Sequence, residues 1–311
     1  MREPTVDVDW SSGHYRRIIT DQRRWLFNWD WLDWVFREHL EIGRARAALD
    51  AGCGAGFLAF EMARLNPELR VRGVDTSDAL LASAREECES RGLVGRVAFE
   101  RGDCYSLGCG DGAFDIAGCS TVLLHLTEPG KAVAEMARAT APGGIVFAIE
   151  PDNFASFPAG WDSACESDEV DYGWAARKFE YAATLYRGKI AAGQGDSAVA
   201  RRMPAFFTDA GLDVFFFRKS DRMLALIPPY DTEEKLALAD NLRITLSEEQ
   251  CRKFLPQLKS EYVAGGGTEA GFDAFWDERI ARQNKALEAL AAGTLTWVGN
   301  HTVCICAGRK S

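Results

Sequence analysis

Along residues 48–150 of this chain, apolar and polar positions alternate between two rhythms. Ala48-Leu49 runs into Asp50 and then breaks into Gly52, Gly54 and Gly56, which predicts a strand feeding a tight turn. From Phe57 to Leu65 apolar residues recur at helical spacing, and Asn66-Pro67 stops that helix before a second strand at 69–75. Thr76-Ser77-Asp78 offers cap chemistry for a helix running to about Ser90. Val97–Glu100 and Phe114–Cys119 read as further strands. A helix over Pro129–Thr140 then ends at Pro142-Gly143-Gly144, before the buried strand Ile145–Glu150. Strands separated by helices predict an α/β, doubly wound parallel sheet.

The chemistry gathers where these strands end. Alternate glycines let a backbone turn sharply and approach a ligand, and the helix that follows presents its N-terminus there. A dinucleotide fingerprint requires G-x-G-x-x-G, but Phe57 stands where its third glycine would fall. Asp75 closes the second strand about 25 residues after Asp50, the spacing at which an acid accepts from both ribose hydroxyls of an adenosine. Asp103 repeats the pattern of an acid at a strand end.

The form D-x-G-x-G-x-G at Asp50–Gly56 resembles the first motif of class I S-adenosylmethionine-dependent methyltransferases. The order of elements over roughly residues 45–150 is similar to the methyltransferase type 11 group, which includes quinone-biosynthesis-like enzymes. The resemblance implies a seven-stranded Rossmann-like sheet. It is completed by a helix near Val199–Ala210, a turn at Gly211, a strand at Asp213–Arg218 and one last strand from Thr296 to Ala307. S-adenosylmethionine is the implied cofactor, bound by Asp50, Gly52, Cys53, Gly54, Asp75, Thr76, Asp103, Cys104 and Cys119. Asp103 would take the adenine amino group and its neighbour's backbone the ring. Ser120–Leu126 has the rhythm that follows the fourth strand in small-molecule methyltransferases, which sets His125 near the methyl-transfer edge as the candidate base. Tyr172, Glu150 and Asp152 are weaker candidates for that role.

Outside this core, Trp25, Trp29, Leu32 and Phe36 predict an amphipathic N-terminal helix, with Trp31 and Trp34 on an adjoining face. Packing explains most of that stripe; the functional alternative is a cap, with Tyr15 before it, closing over the cofactor. The expected organisation is a helical cap at 1–44, a cofactor-binding core at 45–150 and a helical insertion at 151–198. A core continuation at 199–220, a second helical insertion at 221–294 and a last core strand at 295–311 complete it. The first insertion carries a long helix from Val170 to Ala192. Both insertions are expected to form a substrate lid, with core extension or a homodimer interface as the competing roles.

Composition narrows the partners. A net charge of −10 argues against a broad nucleic-acid-binding surface, and no stretch approaches eighteen uncharged apolar residues, so neither nucleic acid nor membrane is expected. The N-terminus lacks leader character, so the expected location is cytoplasmic. Nine scattered cysteines without C-x-x-C pairs read as free thiols; Cys304 and Cys306 share a strand face but lack further ligands, so no metal is expected. The acidic stretch of Asp162, Glu166, Asp168, Glu169 and Asp171 could attract a cation, although acids also favour helix starts. Ile227-Pro228-Pro229-Tyr230 lacks the polar first residue of an amine-binding loop. Gly265-Gly266-Gly267 reads as a linker, with Thr268 capping the next helix.

Methyl transfer to a small-molecule acceptor is therefore the expected function. The alternatives are a nicotinamide-type oxidoreductase on a similar sheet and a non-catalytic S-adenosylmethionine-binding protein.

Overall fold

The computed structural model describes residues 27–156, 160–166, 169–220 and 223–311. Tyr15 and Trp25 lie outside the described residues. Helix α1 (Trp29–Trp34) continues as a π-helical turn to His39 and leads to β1 (Ala47–Ala51), α2 (Phe57–Leu65), β2 (Arg70–Asp75), α3 (Asp78–Ser90), β3 (Val97–Arg101) and β4 (Phe114–Ser120). Then come α4 (Pro129–Ala139), β5 (Thr140–Pro151), α5 (Asn153–Ser156), β6 (Trp161–Asp162), α6 (Tyr172–Ala191), α7 (Met203–Asp209) and β7 (Leu212–Lys219). The chain closes with β8 (Met223–Leu226), α8 (Glu233–Thr245), α9 (Glu248–Ala264), α10 (Glu269–Ala291), β9 (Trp297–Asn300) and β10 (Val303–Lys310).

Two compact units divide the chain. The first holds residues up to Asp152, Ala198–Asp221 and Val303–Ser311; the second holds Asn153–Ser197 and Arg222–Thr302. In the first, seven strands lie in the order β3-β2-β1-β4-β5-β10-β7. Six share one direction and β10 runs against them, pairing antiparallel with both β5 and β7, so the sheet is mixed rather than wholly parallel. One face is covered by α1, α2 and α3 through Phe36, Leu58, Phe60, Leu81 and Ala84; the other by α4 and α7 through Val133, Met136, Met203 and Phe207. Such two-sided burial is why the central strands read as continuous apolar runs. The strand order reverses between β1 and β4, so the loops after these strands flank a crevice at the carboxyl edge, the usual ligand position in open α/β sheets. Three of the four crossings into the second unit also leave from strand ends on that edge: after Pro151, after Lys219, and before Val303, which pairs with Pro151.

Two expectations need correction. The single last strand over 296–307 is two strands: Trp297–Asn300 pairs with β6 and β8 in a separate three-stranded sheet, and only Val303–Lys310 enters the large sheet. Apolar residues on both sides conceal this break. It falls at His301-Thr302, where Thr302 N turns to Ser156 Oγ at 2.8 Å instead of continuing a ladder. The helix expected near 199–210 begins as a 3-10 turn over Val199–Arg202 and becomes α-helical only at Met203, with Pro204 in its first turn. Of the N-terminal stripe, Leu32 and Phe36 are buried, Trp29 and Trp31 pack partly against the core, and Trp34 stays 47% exposed.

In the second unit, α6, α9 and α10 enclose Trp174, Tyr181, Phe272, Phe275 and Trp276, with the Tyr181 and Phe275 rings stacked 4.0 Å apart. Asp171, Ser247 and Thr268 cap those three helices through their side chains. Most described acids of the 162–171 stretch have internal partners: Asp171 pairs with Arg282, Glu166 accepts from Asp171 N at 3.0 Å, and Asp162 from Cys165 N at 3.0 Å. They do not form an open cation site. Helices α6 and α9 cross at glycines: a Cβ on Gly188 would stand 1.6 Å from Glu261 O, and one on Gly265 1.8 Å from Thr184 O.

Backbone packed against backbone cannot yield as a flexible side chain can. Urea denaturation should find Gly188→Ala and Gly265→Ala each less stable by about 1–3 kcal/mol or more. Gly43→Ala, which meets open space, should change stability by less than about 0.5 kcal/mol.

Candidate cofactor and methyl-transfer site

The loop after β1 is bound directly to β2. Gly52 N and Cys53 N both donate to Val74 O, at 2.8 and 3.0 Å, and Gly56 N closes the turn on Cys53 O at 2.8 Å. Gly52 adopts φ +71°, and a Cβ there would meet the Val122 methyls at 2.6 and 2.8 Å, so both conformation and space require glycine. Gly56 serves packing, because its missing side chain makes room for Phe60 and Phe99. Gly54 is the open glycine, its nearest neighbour being a Leu80 methyl at 3.9 Å.

Gly54 N donates to Asp75 Oδ2 and Ser77 N to Asp75 Oδ1, each at 2.8 Å. Each oxygen keeps a second lone-pair direction, so the half-buried carboxylate can still accept two hydroxyl donors. Asp50 is buried and accepts from Ala59 N at 3.0 Å; its place is to hold α2 against β1. Thr76 is exposed beside Asp75. Asp103 is exposed on the next strand end, with Oδ1 accepting from Tyr105 N at 2.9 Å.

Three thiols border this edge, and their side chains belong to the packing. Burial, then the charges of Asp50 and Asp75, push the Cys53 thiol far up. Burial and Asp103 push Cys104 up to about 12. Cys119 is buried at the end of β4, raised well above the usual range by desolvation and by Glu150. What Cys53 and Cys119 can offer a ligand is backbone.

Beyond β4 the chain turns through Thr121 at φ +57° into a 3-10 turn, Leu123–His125. One carboxylate fixes this turn. Glu150, buried at the end of β5, accepts Val122 N and Leu123 N on Oε1 at 2.8 Å each, and Leu124 N on Oε2 at 3.3 Å. Desolvation pushes its pKa up to about 7 against the pull of these three amides. That geometry removes Glu150 from the candidate bases, since both oxygens are occupied away from solvent. His125 is exposed on the same turn, its N donating to Val122 O at 2.9 Å. Tyr172 belongs to the second unit, where it opens α6 and is 78% exposed. Asp152 is paired with Arg201.

Sequence reasoning overlooked two features. Ser120 Oγ is buried and has no hydrogen-bond partner among the described residues, an orphan hydroxyl at the carboxyl end of β4. Glu150 as a loop anchor was readable in principle, because an acid that ends the apolar run Ile145–Ile149 needs buried donors. The open Gly54, the unsaturated Asp75 carboxylate and the orphan Ser120 Oγ fit an adenosyl group with a polar amino-acid tail.

A family model described as Methyltransferase domain matches residues 42–192. An uncharacterized methyltransferase of Schizosaccharomyces pombe is 37% identical over 109 residues, covering 33% of this chain and 39% of that protein. The ubiquinone biosynthesis O-methyltransferase of Methylococcus capsulatus is 36% identical over 103 residues, covering 33% of this chain and 42% of that protein. An uncharacterized protein of Synechococcus is 39% identical over 106 residues, 34% of this chain but 25% of its own length. The chain thus spans less than half the length of each of these relatives. Fold, loop and family model agree on one class, whose cofactor is S-adenosylmethionine. Residues 42–192 are a methyltransferase domain of the class I S-adenosylmethionine-dependent type. The oxidoreductase alternative falls with that assignment. Among the described residues no helix is long and apolar enough to cross a membrane.

Because the Glu150 carboxyl has a higher pKa folded than its ordinary 4.5, the folded state holds that proton more tightly. Its stabilising contribution is complete below pH 4.5 and is lost as pH rises through about 7. Glu150→Gln does not titrate. The melting temperature of the parent relative to this variant should therefore fall between pH 5 and pH 8; parallel profiles would contradict the burial argument.

Proposed function

We propose that this protein transfers a methyl group from S-adenosylmethionine to a small-molecule acceptor. The observation that carries the reading is the pair formed by the Gly54 amide and the Asp75 carboxylate, aligned by the Val74 carbonyl and still able to accept hydroxyl donors. In this reading Asp75 takes the ribose hydroxyls, Asp103 and the Cys104 backbone the adenine, and Gly52, Cys53 and Gly54 the amino-acid portion, with Thr76 and Cys119 lining the cleft. The cofactor supplies a methyl group activated by the positive charge on its sulfur.

The chain's own contribution is alignment and charge. Cys53 lies near Asp50 and Asp75, and Cys104 near Asp103 and Asp75, so three aspartates share one edge. A cation is favoured there over a neutral or anionic ligand. In-line transfer needs proximity and exclusion of water more than acid–base chemistry. If the acceptor is a hydroxyl or a carbon acid, His125 can take its proton, being exposed on a turn held at three amides. The net charge of −10 supports a small acceptor over nucleic acid.

Calorimetry should find S-adenosylhomocysteine binding to the parent protein and no binding of NAD. Asp75→Ala should weaken S-adenosylhomocysteine at least about tenfold, two charge-assisted hydrogen bonds being lost. His125→Ala should leave that affinity unchanged, while turnover on a hydroxyl or carbon-acid acceptor found by metabolite screening falls about 100-fold. Equal affinity in parent and Asp75→Ala would overturn the reading.

A further inference from the structure

We propose that Glu150 is a positioning residue for the cofactor loop and acts on it through the turn at residues 121–124. The inference deepens the reading of the glycine loop and Asp75 as a cofactor cradle and rests on it. Four consecutive amides join this turn to β5: Thr121 N donates to Ile149 O at 2.8 Å, and the amides of Val122, Leu123 and Leu124 all meet the Glu150 carboxylate. Converging amides at the start of a tight turn form a positive concavity, and no single main-chain carbonyl could satisfy three of them. Oε1 takes two and Oε2 takes the third. An apolar residue at 150 would leave all three buried or half-buried amides without their acceptor.

The turn does more than end a strand. Val122 rests on the face of Gly52 where a side chain would otherwise stand, with its methyls 2.6 and 2.8 Å from the position of the missing Cβ. Gly52 is in turn held to Val74 O, and two residues further Gly54 N meets Asp75. A continuous chain of contacts therefore runs from the Glu150 carboxylate through the amides of 122–124 and the Val122 side chain to the glycine loop. Loosening the far end should let Val122 lift and give Gly52 the freedom its φ of +71° otherwise offers. The same turn carries His125, so one carboxylate sets both the cofactor loop and the candidate base.

A purely structural anchor would lower stability without altering affinity. The test is S-adenosylhomocysteine binding by calorimetry on the parent protein, Glu150→Gln and Glu150→Ala, well below each melting temperature, with amide hydrogen exchange on the same samples. Glu150→Gln keeps the Oε1 acceptor for two amides but turns an NH2 toward Leu124 N, so its dissociation constant should rise about fivefold. Glu150→Ala should raise it about thirtyfold or more. Exchange should quicken at 122–124 and at 52–54 together, while β3 stays unchanged. If Glu150→Ala does not fold, Glu150→Gln alone decides. A folded Glu150→Gln with affinity within about twofold of the parent, or exchange that quickens at 122–124 but not at 52–54, would overturn the proposal. A parent protein that fails to bind the probe would instead overturn the cofactor reading beneath it, and the proposal with it.

Discussion

One carbonyl oxygen, that of Val74, accepts two successive amides from the loop after β1, and the carboxyl edge is registered to that pair of bonds. Parallel pairing alone would bring β1 and β2 side by side from Ala47 and Arg70 to Ala51 and Val74. The extra bonds carry this alignment past the end of the strand and into the turn. Gly54 N thereby meets Asp75, α2 starts in the direction fixed by Asp50, and the space above Gly52 is left for Val122. A glycine loop free to wander would have no defined distance from either strand. Tethered at Val74, it becomes a rigid ledge.

Electrostatics then gives the ledge a preference. Asp50, Asp75, Asp103 and Glu150 each lie close enough to raise at least one of the three thiols along this edge. Asp50 and Glu150 are buried and committed to main-chain donors, whereas Asp75 and Asp103 remain accessible. Two acids build the site and two are left to meet a ligand. A methyl donor that carries its charge on sulfur suits that division better than one carrying phosphates.

How much of this could be read from residues alone depended on how local the signal was. The βαβ unit, the Ser77 cap and the acids at strand ends follow from turn chemistry and periodicity, and each appears within a residue or two of its expected place. The break between Asn300 and Val303 was hidden because apolar residues continue on both sides, and only pairing with different sheets distinguishes them. Cys53 and Cys119 were expected at the cofactor on position, yet their thiols point into packing that depends on Gly73 and Glu150, partners distant in sequence. Glu150 was read as an acid near the right edge. Its three amide partners come from a turn 26 to 28 residues earlier, a relation that spacing does not reveal. Residue type located the site, while long-range contacts decided which of its members face a ligand.

The most direct test of the account is a crystal structure of the complex with S-adenosylhomocysteine. Both ribose hydroxyls should lie within hydrogen-bonding distance of the Asp75 carboxylate, the amino-acid tail should run along Gly52–Gly54, and the adenine should sit beside Asp103. A nucleoside bound elsewhere, or an Asp75 carboxylate with no contact to the ribose, would contradict it.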